Sequence, residues 1–119
     1  MEIVSDFQPG QIVYLEHGDR RLYAEVIQVV LSRQSCWVRP LLLVVYSWEP
    51  PLTTDLRAAS DLLWPLSLFQ PALDTEIISI LSEVLAKEAK PGIDTITKQQ
   101  LNQFIYQVWH AYKKDNGST

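Results

Sequence analysis

Residues 41–46, Leu-Leu-Leu-Val-Val-Tyr, form the longest unbroken apolar run in the chain, set between Arg39-Pro40 and Pro50-Pro51. Such a run must be hidden from water, and three shelters exist: a bilayer, the chain's own core, or a partner. A bilayer requires roughly 18 to 20 apolar residues in a spanning helix, so six are too few and no transmembrane insertion is expected. Strict apolar/polar alternation is absent, which predicts a strand covered on both faces. One face is expected to meet a β-sheet interior, and the other to meet amphipathic helices downstream. If those helices pack elsewhere, the same face becomes a homodimer or partner surface.

The chain has 119 residues, 47% hydrophobic and 20% charged, which suits one globular domain with one sizeable core. Its net charge of −4 and only ten Lys and Arg argue against a general nucleic-acid binder. Cys36 is the single cysteine, so neither an intrachain disulfide nor a Cys-rich zinc site can form, and a reducing, cytoplasmic setting is expected. MEIVSDFQPG lacks the basic start and apolar stretch of a secretory signal.

The first half reads as strands. Pro9-Gly10 signals a turn before Gln11–Glu16; His17-Gly18-Asp19-Arg20 is a polar break whose glycine can take positive φ; Leu22–Leu31 is a long β-rich segment. Ser32–Ser35 offers a turn into Cys36–Arg39 and the Leu41–Tyr46 run, giving three antiparallel strands. Pro40 cannot donate to a ladder and is expected at a bulge or an edge. Ser47–Thr54 reads as a linker or crossing loop, Asp55–Arg57 as a short fourth strand, and Leu62–Phe69 equally as a fifth strand or a helical turn.

The last third reads as two helices, 74–90 and 97–114. Asp74 is the expected cap of the first, with Ile77, Ile78, Leu81, Val84 and Leu85 on its buried face; Lys87 and Lys90 suit its final turn, and Pro91-Gly92 ends it. Thr97 and Gln100 suggest a capping box for the second, whose apolar set is Leu101, Phe104, Ile105, Val108, Trp109 and Tyr112. Residues 115–119 read as a disordered polar tail. The whole is an α+β single domain over 1–114, with a β part at 9–70 and a helical hairpin at 74–114.

The stretch 9–46, with its Pro-Gly start, short strand, polar turn, longer strand from Leu22-Tyr23-Ala24-Glu25-Val26 and third strand from Trp37-Val38, resembles small SH3-like barrels of the Tudor kind. The resemblance implies an antiparallel barrel that binds peptides, modified side chains, nucleic acid or subunits of assemblies. Tyr14, Tyr23 and Trp37 stand where cage aromatics would be sought, but Leu41–Val45 replaces the residues a methyl-lysine reader carries after its third strand. The style of the chain also resembles that of small bacterial, including cyanobacterial, proteins that help assemble larger complexes.

Residues that could carry chemistry are few. His17 and His110 fall in different units, and Asp55, Asp61 and Asp74 are too scattered to wrap an ion, so no metal or other cofactor is expected. Cys36 beside Trp37 reads as a small buried hydrophobe, and a thiol enzyme would need His17 or a cation beside it. The four glycines are isolated and build no phosphate loop. Arg20 and Arg21 in the first hairpin could grip a carboxylate or a phosphate, or be solvated loop charges. With Arg33 and Arg39 they make at most a modest basic strip, the basis of an alternative RNA-binding role.

The aromatic residues speak more clearly. Trp37 and Trp109 fall on apolar faces and are expected in the core, whereas Trp48 and Trp64 flank prolines, where a large ring with an N–H donor sits half exposed or closes a barrel end. The expected role is a non-enzymatic interaction or assembly module that binds a peptide tail or subunit. Trp48 and Trp64 would anchor the partner, Arg20 and Arg21 would set register, and Tyr23 would border the contact.

Overall fold

A computed structural model describes residues 7–86, Gly92 and residues 94–116. Among the described residues six strands form one antiparallel sheet: β1 Ile12–His17, β2 Arg20–Val30, β3 Ser35–Val45, β4 Leu52–Asp55, β5 Leu62–Pro65 and β6 Gln70–Pro71. Their order is β4-β3-β2-β1-β6, with β5 also on β3. The two helices are α1 Asp74–Leu85 and α2 Thr95–Asn116. The architecture is therefore α+β.

β1 and β2 meet in a tight hairpin because Gly18 takes φ 61° between the paired residues His17 and Arg20. A 3-10 turn, Leu31–Arg33, joins β2 to β3, with Gln34 left-handed at φ 51°. β3 is long enough to carry two partners on one edge. Ser35–Val38 pairs with β5 and Leu42–Val45 with β4. The segment expected as a crossing loop thus contributes β4 from Leu52, three residues before the expected strand, because β-branched Thr53 and Thr54 pair with Val44 and Leu43. Both readings of 62–69 hold in sequence: β5 is followed by a 3-10 turn, Leu66–Leu68.

Ala24 pairs with Pro40 and Tyr23 with Leu42, which leaves Leu41 as an extra residue in β3. The bulge sits beside Pro40, where the missing N–H permits a break in the ladder. It also shifts side-chain parity. Before it, Cys36 and Val38 join a core with Val13, Leu22, Val26 and the α2 residues Leu101, Phe104 and Val108; after it, Leu43 does. Leu41, Leu42 and Val44 instead join Ile12, Tyr23 and the α1 residues Ile80 and Val84. The bulge and two covered faces together explain the unbroken apolar run.

The two helices therefore do not pack as a hairpin on one wall. They cover opposite faces of the sheet, each with its own apolar cluster. On α1 the buried residues are Ile80 and Val84 with Ile77 half-buried, while Ile78 is exposed, contrary to the expected face. α1 begins after Leu73 rather than being capped by Asp74: the Glu76 carboxylate accepts from the Leu73 backbone N–H at 3.0 Å. α2 begins at Thr95, and its cap is Asp94, whose Oδ1 accepts the Thr97 N–H at 2.7 Å. Thr97 is thus inside the helix. α2 also runs to Asn116, so the first two residues of the expected tail are helical. The Lys87, Lys90 and Pro91 end signals lie outside the described residues.

Candidate functional site

Arg20 and Arg21 are neighbours on one strand, and period-two geometry sends them to opposite faces. Arg20 donates to Gln107 on α2, with its guanidinium 6.0 Å from the Phe104 ring centre. Arg21 turns to α1, donating to the Glu76 carboxylate at 2.6 Å and to Glu16 at 3.0 Å, while lying 4.2 Å from the Tyr14 ring centre. Adjacent cations thus staple the two helices to the two sides of the sheet. Both are spent on intramolecular bonds.

Tyr23, read from the sequence as a border of the partner contact, has 0% of its surface exposed. Its hydroxyl donates to Glu76 at 2.6 Å and lies 2.7 Å from that of Tyr46. Burial, followed by the Glu76 carboxylate, raises the Tyr23 phenol well above the ordinary range. Burial alone would push the Glu76 carboxyl up; the Tyr23 hydroxyl, the Leu73 N–H and Arg21 outweigh it, leaving it below its ordinary value. This cluster borders a small depression formed with Gly18 and Asp19, and its Tyr46 and Glu76 also line a larger groove of about 530 Å³ between α1 and the Tyr46–Pro51 loop. Leu42, Val44, Pro50, Pro51 and Ile80 make that groove apolar. Trp48 stands in the same loop with 62% of its surface exposed.

A second groove lies on the other side of the sheet, between β5 and α2, where Trp64 meets Trp109 with ring centres 5.7 Å apart. Trp109 in turn stacks on Tyr112 at 5.4 Å. Trp109 and Trp37 were both expected in the core, yet they are 37% and 38% exposed. Trp37 alternates outward from Cys36 and Val38, at the end of β3 that α1 does not reach, and its Nε1 donates to Asp61 at 3.0 Å. Half-buried Trp64 packs against the α2-side core.

The arginines of the RNA alternative are not brought together. Arg20 and Arg21 face apart, Arg39 pairs with Asp61 at 3.4 Å, and Arg33 lies in the turn at the far end of β2, roughly 30 Å from Arg20 at 3.3 Å per residue. Cys36 is buried, and burial raises its thiol above the ordinary range. His17 and His110, assigned from the sequence to separate units, line one surface depression with Tyr106, Gln107 and Lys114. Sequence spacing gave no signal of that meeting, which depends on α2 crossing the end of β1. Among the described residues no three of His, Cys, Asp and Glu gather as metal ligands, and no helix is long and apolar enough to cross a membrane. No family model matches the chain, and no curated protein or solved structure matches it either.

Proposed function

We propose that the chain is a non-catalytic interaction or assembly module that binds a peptide tail or subunit of a protein partner. The observation that carries this reading is the placement of Trp48, 62% exposed, in the loop that walls the apolar groove against α1. The lining comes from its loop neighbours Tyr46, Pro50 and Pro51, and an exposed tryptophan on such a loop is of the type enriched among interface anchors. The half-exposed Trp64 groove on the opposite side supplies a second anchor. Cys36, sealed and protonated, supports the non-enzymatic reading because a thiol nucleophile must be ionised and reachable.

The finer fold reading is an SH3-like barrel. It is supported by the way residues 66–69 carry the chain from β5, on β3, to β6, on β1, so that the segment joins the two sides of the sheet path. Arg20 and Arg21 act in this reading as supports of the helices that frame the grooves, rather than as direct grips on the partner.

The test compares the wild-type chain with Trp48→Ala and Trp64→Ala in quantitative capture from native extract, followed by titration of each captured protein in purified form. Direct binding that falls roughly tenfold or more in either variant, with unchanged thermal unfolding, is the expected result. Binding indifferent to both substitutions removes the anchor roles.

A further inference from the structure

The groove between β5 and α2, about 450 Å³ in volume, is formed by Leu63, Trp64, Pro65, Ile105, Tyr106 and Trp109, with Asn102 as its polar side chain. Leu63 and Tyr106 are 54% and 63% exposed, so the apolar lining stands open. We infer that this groove takes an acidic peptide segment of a protein partner, an inference that rests on the interaction-module reading above.

Charge selects the occupant. α2 carries three cations, Lys98, Lys113 and Lys114, against one carboxylate, Asp115 in its last turn, within a chain whose net charge is −4. Steps of four, four, three and four residues place Lys98, Asn102, Tyr106, Trp109 and Lys113 on one strip of the helix, the strip that borders the groove. Lys98 and Lys113 are exposed, and among the described residues neither has an ion-pair partner. They are roughly 22 Å apart along the axis at 1.5 Å per residue, the reach of about seven extended residues. Of the carboxylates next to β5 and to the start of α2, Asp61 is engaged by Trp37 and Arg39 and Asp94 by the Thr97 N–H.

The opposite face offers no lysine strip: on α1 Asp74 is exposed, Glu76 is paired with Arg21, and the helix has no Lys or Arg. An acidic segment is drawn to α2 rather than to α1, which gives orientation as well as attraction. Its apolar or prolyl residue lies against Trp64 and Trp109, and its carboxylates face the lysines at the two ends.

The probe is a random peptide library selected on the full chain, with the enriched peptides synthesised and titrated calorimetrically. Enrichment of acidic peptides with an apolar or aromatic centre is expected. Their affinity should fall as salt rises, and fall roughly tenfold or more in Lys98→Glu/Lys113→Glu and in Trp109→Ala, but not in Ile78→Ala, at an exposed side chain of α1. Enrichment of neutral or basic peptides, or acidic peptides indifferent to the lysine reversals, overturns the inference and leaves the module reading standing. Self-association abolished by the lysine reversals, with no acidic peptide enriched, assigns the groove to a second copy and likewise overturns it. A chain that enriches no peptide on any face and captures no protein defeats both.

Discussion

Glu76→Gln tests how α1 is held. Glu76 Oε2 accepts from Arg21 and from the Tyr23 hydroxyl, both at 2.6 Å, and Oε1 accepts the Leu73 N–H. Glutamine keeps the shape and one acceptor for Leu73 but removes the charge. A hydrogen bond to a charged group contributes roughly 1.5 to 3 kcal/mol. Two such bonds weaken here, yet Glu16 still holds Arg21, and the Arg21 and Glu76 side chains keep 25% and 20% of their surface in water. The expected loss is therefore about 2 kcal/mol at neutral pH rather than the sum of both bonds.

The sign of the pH dependence follows from the lowered folded-state carboxyl. The stability Glu76 contributes is full above its ordinary value of 4.5 and is lost as pH falls through the lower folded value. Urea unfolding of wild type and variant should show the deficit at neutral pH and its disappearance in acid, where wild-type Glu76 is itself neutral. Pairing the change with Tyr23→Phe should reveal a coupling of roughly 1 kcal/mol. A neutral-pH deficit below about 0.5 kcal/mol, or one undiminished in acid, would refute the cluster as the clamp on α1.

Other outcomes are equally direct. Phe104→Ala, at a side chain with 0% exposure, should cost roughly 3 to 5 kcal/mol by calorimetry or denaturant titration. Asp94→Ala should cost about 1 kcal/mol through loss of the Thr97 N–H acceptor, and Asp94→Asn should recover most of it. Cys36 should resist a thiol reagent in the native chain and react at the rate of local opening, so its labelling should speed up as urea is added below the unfolding midpoint. Trp48→Ala should leave stability within about 0.5 kcal/mol, because the ring is mostly in water.

Local rules carried the sequence reading a long way. Gly18 announced the hairpin, Pro40 the break in β3, and the three- and four-residue spacings both helices, because each depends on neighbours within a few positions. What failed was long-range. Nothing near Ile78 shows that the sheet would meet Ile77, Ile80 and Val84 instead, and nothing near Trp37 shows that α1 would stop short of it. Arg20 and Arg21 looked like one polar cluster in a line of letters; the pleat parted them. Trp48 and Trp64 were singled out through their prolines, and they are exposed and half-buried respectively, whereas Trp109 became a groove residue only once β5 lay beside α2. The Arg21–Tyr23–Glu76 clamp joins residues 53 and 55 apart, beyond any local pattern.

The extra residue at Leu41 works like an inserted letter in a two-letter reading frame. Up to Pro40 the even-numbered side chains of β3 belong to α2's territory, and beyond the insertion the odd-numbered Leu43 does. Deleting Leu41 would restore regular alternation and leave every other tenant in place, Leu42 and Val44 on the side of Ile80 and Leu43 on the side of Phe104; what the sheet would lose is the Leu41 side chain from the cluster under α1.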